Sequence, residues 1–265
     1  MGDIIYRPLI EDMTWSYSRI TAFEQCPHGW YLRYIRRLPK DDRFYSSYGS
    51  FVHSLIERYY RGELSKEQLP VEFATKFATE VKGFRPSNNV VVKYINDGMN
   101  YFTNFEPYEC DSFEVEKEIY FTIGDKRFVC YIDFVGFKDG EIFLVDHKSA
   151  ELKEKSKRAK PTASDKKIDE ILRQLYFYSA AIEQEYGKLP SKLCINSYRS
   201  GVFIEEEFDN EKFEDTKRWA LERIEDIESV DEFFPFQDFF FCKNLCGLNN
   251  FCTYDIEARE ERRHS

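Results

Sequence analysis

Asp146 and Lys148 stand two residues apart at the end of the apolar run Ile142-Phe143-Leu144-Val145, and Asp133 follows Tyr131-Ile132 shortly before them. Alternate residues of an extended chain share a face, so the spacing predicts that carboxylate and ammonium project from one side of one strand. With a second carboxylate on the preceding strand, two acids can hold divalent cations. The lysine can then orient a water or offset charge developing on a phosphate. The chemistry expected is metal-assisted phosphodiester cleavage, with Asp133, Asp146 and Lys148 as its catalytic groups. Alone, an Asp-x-Lys triplet is a weak signal, because charged residues are common at strand ends. His53, in Gly49-Ser50-Phe51-Val52-His53, is the expected third metal ligand. A lone histidine on an apolar helix is more often a satisfied core residue, so His53 draws its weight from its companions.

The elements that must position these groups are legible in outline. Thr14-Trp15-Ser16-Tyr17-Ser18-Arg19-Ile20 reads as a capped entry into a short helix, with Ser16 or Ser18 as N-cap, and Cys26-Pro27 interrupts it. A second helix follows through Trp30 and Ile35. Helical periods recur over 49–60, 66–82 and 90–105, making the portion 14–106 mostly helical. From Phe113 the pattern alternates, giving strands over 113–121, 127–137 and 141–149, with turns at Gly124-Asp125 and Asp139-Gly140. A helix over 167–186 stops at Gly187, a hairpin over 192–208 turns at Arg199-Ser200-Gly201, and an amphipathic helix covers 211–227. No internal repeat or low-complexity linker divides the chain. One domain is expected: a helical portion (14–106), an α/β core (113–230) and an aromatic, cysteine-bearing tail (231–254).

At 265 residues the chain can bury a sizeable core, and 17% aromatic content argues for a folded domain. No stretch reaches the ~20 apolar residues of a membrane span, and residues 1–13 lack the features of a signal peptide, so a cytoplasmic protein is expected. The formal net charge of -10 disfavours a polyanion partner. Its distribution is less hostile. Residues 148–167 hold eight Lys or Arg against three acids, and 33–43 hold five against two, while acids crowd into 205–232. Each basic tract can bind a polyanion or be a solvated surface.

Seven cysteines in an intracellular chain are more often thiols or metal ligands than disulfides. Cys110, Cys130 and Cys194 read as buried small residues. Cys242, Cys246 and Cys252 form a cluster in which three sulfurs can turn toward one point.

The order of these features, from a Gly-x-x-x-His helix through Ile132-Asp133 and Asp146-His147-Lys148 to Gln174-Leu175-Tyr176-Phe177-Tyr178, resembles the RecB-like branch of the PD-(D/E)xK nuclease superfamily. The resemblance implies a mixed central sheet of the restriction-endonuclease-like type flanked by helices. It implies that His53, Asp133, Asp146 and the carbonyl of His147 bind Mg2+ or Mn2+, that Lys148 assists catalysis, and that Gln174 and Tyr178 border DNA. The two share one helix face, which also suits packing on the sheet.

Across residues 15–254 the chain is similar to the iron-sulfur members, such as the CRISPR-associated exonucleases and the C-terminal nuclease domain of AddB. That likeness implies a 4Fe-4S cluster on Cys26, Cys242, Cys246 and Cys252, stapling both chain ends over the core. Spacing alone fits zinc equally well. Two departures stand out: three residues rather than two separate Cys242 from Cys246, and Cys130 replaces the glycine common three residues before the first acid. Glu116 and Glu118 read as exposed acids of an edge strand, with an outer metal contact as their other role.

The activity implied is exonuclease action on single-stranded DNA ends, most often from the 5′ end. The chain has no Gly-x-x-x-x-Gly-Lys-Ser/Thr loop, so unwinding would fall to a helicase or recombination partner. Rival readings are a non-catalytic DNA-binding or assembly subunit of a recombination or CRISPR machine, and a nuclease acting on RNA.

Overall fold

Two left-handed residues, Asp139 at φ 52° and Gly140 at φ 77°, make the tight turn between the second and third strands. The computed structural model describes residues 6–156, 160–236, 238 and 241–252. Its five strands are β1 (Ser112–Ile123), β2 (Lys126–Lys138), β3 (Glu141–Lys148), β4 (Lys192–Ser197) and β5 (Val202–Glu207), in the spatial order β1-β2-β3-β4-β5. All neighbours are antiparallel except β3 and β4, which run parallel. A parallel pair requires a crossover, and a long helix over Ala163–Tyr186 supplies it.

The helices in chain order are α1 (Arg7–Glu11), α2 (Tyr17–Gln25), α3 (Pro27–Trp30), α4 (Phe44–Tyr60), α5 (Gln68–Glu80), α6 (Asn88–Thr103), α7 (Ala163–Tyr186) and α8 (Asn210–Ser229), with a π-turn over Tyr31–Ile35 after α3. Ile119, Phe128, Ile132 and Leu144 on one sheet face form a core with Leu175 and Phe177 of α7, Ile224 of α8 and Ile20 of α2. The other face carries Phe134, Val145 and Cys194 against Tyr60 and Tyr108. Beside it lies the core of α4, α5 and α6, built on Tyr48, Leu55, Phe73 and Phe102. A Cβ at Gly98 would sit 2.2 Å from the Phe73 ring, so α5 and α6 reach this spacing because position 98 has no side chain.

A mixed sheet between helical layers is the restriction-endonuclease-like α/β architecture expected from the sequence. Differences lie at helix starts. α4 begins at Phe44, where the buried rings of Phe44 and Tyr48 extend its apolar stripe. α7 begins at Ala163 because Thr162 and Asp165 close a capping box, with Asp165 also accepting from Ser156. The short α1 has no counterpart in the sequence reading; Pro8 sits in its first turn and Ile10 anchors it. The tail expected to run to residue 254 passes outside the described residues after 252, as do residues 157–159 of the basic tract 148–167.

Candidate functional site

Alternation along β2 breaks at Asp133. Cys130 and Ile132 face the α7 core, yet Phe134 faces the opposite side and Val135 returns to the α7 core. Its neighbour β1 breaks at the same level: Val115 pairs with Phe134 and Lys117 with Ile132, and Glu116 between them lies at φ 48°. This backbone region is costly for a side chain with a Cβ, and such outliers gather at functional sites. Both strands therefore swap faces at Glu116 and Asp133.

The β2–β3 ladder ends at Phe134 opposite Val145. One step beyond, Asp133 Oδ2 accepts the His147 N–H at 2.7 Å, so a side chain takes over where the backbone pairing stops. His53, on α4, donates from Nε2 to the His147 carbonyl at 2.9 Å, and its Nδ1 lies 3.6 Å from Asp133 Oδ1. On the α7 side, Lys148 Nζ lies 2.6 Å from Asp146 Oδ2, as the two-residue spacing requires. The structure thus gathers two sets at the end of β3: His53, Asp133 and the His147 carbonyl, and beside them the Asp146–Lys148 pair, whose carboxylate is not among the donors within 4.8 Å of His53 and Asp133.

Electrostatics follow from burial and mutual proximity. Burial alone would lower the His53 pKa, but Asp133 more than offsets it and raises the imidazole to about 9. Burial opposes ionisation of Asp133, yet His53 holds its carboxyl well below the usual range. Asp146 is pushed up to about 6 by burial, with Lys148 pulling the other way and Asp133 adding to the rise. Burial works against the Lys148 ammonium, but the two carboxylates raise its pKa overall, so it stays charged.

Glu116 is the residue that sequence reasoning undervalued. It is half-buried, and one oxygen of its carboxylate joins His53 and Asp133 within 4.8 Å of one another, a donor set fit for a cation. Burial and the nearby Asp133 push it up to about 7. Its left-handed backbone is invisible in a pattern of alternating acids, so the sequence ranked its outer metal contact below the role of an exposed edge acid. Glu118 behaves as an edge acid: it is exposed and accepts from Tyr120 and Tyr131.

The His147 side chain points away from the acids into a polar pocket. Asn196 Nδ2 lies 3.1 Å from its Nδ1, and burial drives the pKa down to about 3. Gln174 lines a groove of about 530 Å3 between α2 and α7 together with Lys148. Tyr178 is 8% exposed and receives a hydrogen bond from Gln174 at 2.6 Å. Of that pair, Gln174 faces the groove and Tyr178 packs on the sheet.

The cysteines separate as their spacing suggests. Cys130 and Cys194 are buried, while Cys110 is half-buried. Cys26 caps α3 and its Sγ accepts the Gly29 N–H at 3.3 Å. Cys26 and Cys246 line one cavity with Arg33 and Lys40. Burial raises the Cys246 thiol pKa, and Cys26 and Cys252 add to the rise. Arg43 bonds the Cys246 carbonyl and, at 2.6 Å, Asn249 Oδ1, while the Asp41 N–H donates to Gly247 at 2.8 Å. Among the described residues no three thiols lie within 4.8 Å of one another, so these cysteines form no single-ion site.

A family profile describing the PD-(D/E)XK nuclease superfamily matches residues 14–253. No curated protein matches the chain. Among solved structures, a candidate exonuclease from Eubacterium rectale is similar at 12% identity and TM-score 0.54, covering 88% of this chain and 90% of that one. A protein called SSO0001 matches at 12% identity and TM-score 0.38, covering 92% of this chain and 87% of that one.

Proposed function

The chain belongs to the PD-(D/E)XK nuclease superfamily, and from that premise we propose that it is a Mg2+- or Mn2+-dependent DNA exonuclease acting on single-stranded ends in the 5′ to 3′ direction. The observation that carries the reading is the convergence of His53, Asp133, Asp146 and Lys148 on the last residues of β3. These residues suit a hard divalent cation, being oxygen donors with one imidazole, and His53, Glu116 and Asp133 offer donor atoms within 4.8 Å of one another. His53, Asp133, Asp146 and the His147 carbonyl would hold the cation, with Glu116 beside them.

Such a cation, when bound, polarises the phosphoryl group and lowers the pKa of a water. The chain's own residues do the rest. Lys148, charged and about a quarter exposed at its side chain (26%), offsets negative charge on the phosphate and orients the attacking water. The water oxygen bonds to phosphorus, the P–O bond to the leaving nucleotide breaks, and the proton passes to the leaving oxygen. Asn196 fixes the His147 ring and with it the peptide whose carbonyl faces His53. Gln174 stands at the groove wall where a substrate strand would pass.

The reading includes a structural 4Fe-4S cluster on Cys26, Cys242, Cys246 and Cys252. Supporting it are the shared cavity of Cys26 and Cys246 and the Arg33 and Lys40 cations lining it, which would offset the negative charge of a thiolate-bound cluster. A helicase or recombination partner would supply single-stranded ends. Digestion of matched DNA and RNA oligonucleotides, labelled at either end, tests the proposal. Stepwise Mn2+-dependent loss from the 5′ end of DNA is expected. Cleavage confined to RNA, or none, would overturn it.

A further inference from the structure

The groove between α2 and α7 has Lys148 in its lining, so whatever fills it continues from the reacting centre. Its walls carry both signs of charge, but two of the three acids are already paired with lysines, and the third is hydrogen-bonded to an indole. Asp169 pairs with Lys155 at 2.9 Å, Glu170 with Lys167 at 2.9 Å, and Glu24 accepts from the Trp219 indole at 3.1 Å.

Two cations are not committed. Among the described residues neither Lys166 nor Arg173 has a carboxylate within salt-bridge distance. Arg173 instead lies 5.0 Å from the centre of the Trp219 ring, which in turn packs on Tyr17 at 5.6 Å. The ring braces the guanidinium without neutralising it. In a chain of net charge -10, two uncommitted cations in the lining of the same groove as Lys148 are a polarity that a polyanion complements.

We infer that the α2–α7 groove is the track for a polynucleotide strand, and that Lys166 and Arg173 each receive one of its backbone phosphates beside the scissile one. This rests on the nuclease reading and deepens it by assigning the strand's path. Lys166 stands one turn after the start of α7, and Arg173 two turns further along the same helix. Backbone contacts of this kind position a strand without reading its sequence, so affinity here is independent of base and falls with salt.

The test is fluorescence anisotropy of labelled single-stranded oligothymidylate in EDTA over a salt series, with wild-type, Lys166→Ala, Arg173→Ala, Arg173→Lys and, on α5 far from the groove, Lys76→Ala. Each groove alanine should weaken binding roughly threefold or more and reduce the slope of log affinity against log salt by roughly 0.7, the value for one single-strand phosphate. Arg173→Lys should restore the slope, and Lys76→Ala should match wild-type. Unchanged affinity and slope in both groove alanines, with wild-type still binding and cleaving the strand, would overturn the inference and leave the nuclease reading standing. Displacement of the strand by polyglutamate at equal charge concentration would also overturn it, in favour of an acidic peptide. A wild-type protein that neither binds nor cleaves the strand would sink the nuclease reading itself.

Discussion

His53 Nε2 and the His147 carbonyl meet at 2.9 Å across 94 residues of sequence, tying α4 to the last residues of β3. In the metal-free protein the imidazole donates there as a cation, because Asp133 raises its pKa to about 9 against the pull of burial. A divalent cation needs the neutral ring and so displaces that proton. Calorimetry of Mn2+ binding at pH 7 in two buffers of different ionisation enthalpy should report release of more than one proton, about one from His53 and the rest from the half-protonated Glu116, and affinity should rise up to about tenfold per pH unit between pH 8 and 9, where His53 alone still titrates. The same linkage acts on stability. The His53 pKa is raised, so its contribution to the metal-free fold is whole below about pH 6.5 and fades as pH climbs through about 9.

Glu116 carries the opposite sign. Its carboxyl is raised to about 7 by burial and by Asp133, so above that pH the charged form weakens the metal-free fold. Glu116→Gln should therefore raise the melting temperature at pH 8 in EDTA, with a gain of about 1 kcal/mol, while lowering Mn2+ affinity. A drop in melting temperature together with unchanged Mn2+ affinity would contradict its place among the donors.

Lys148 should separate chemistry from folding. Lys148→Ala is expected to cut the turnover of a DNA oligonucleotide by about 10² or more, a cost typical of losing one charge-stabilising donor. Far-UV circular dichroism should stay unchanged, because the ammonium contributes no core packing. Asp146 loses its 2.6 Å partner and should become harder to ionise, shifting the acid limb of the activity profile upward in any residual activity.

The cysteines offer a spectroscopic check. If the proposed cluster is present, Cys246→Ala in anaerobically purified protein should bleach its brown absorption and lower the melting temperature, whereas Cys110→Ala, which lies outside the proposed ligand set, should leave the colour intact. Equal colour in both variants would remove Cys246 from the ligand set.

Much of this site was legible because its signals are periodic. The Asp146-x-Lys148 spacing placed both groups on one strand face, and the structure pairs them there. The Asp139-Gly140 turn and the Gly187 stop were equally readable, since left-handed backbone favours those residues. Glu116 was not, because its left-handed angle arises from the face swap it shares with Asp133, a tertiary event with no local signature. The start of α7 was missed for a related reason: Thr162 and Asp165 cap a turn that hydrophobic periodicity does not mark. Lys166 and Arg173 look like any other cations of a charged tract until their uncommitted state is seen in the fold.

The most direct test of the metal-dependent nuclease assignment is one digestion of end-labelled single-stranded DNA with Mn2+, comparing wild-type with Asp146→Ala. Mn2+-dependent shortening by wild-type, and its loss in a folded Asp146→Ala protein, is the predicted result. Undiminished Mn2+-dependent cleavage by highly purified Asp146→Ala protein would contradict the account.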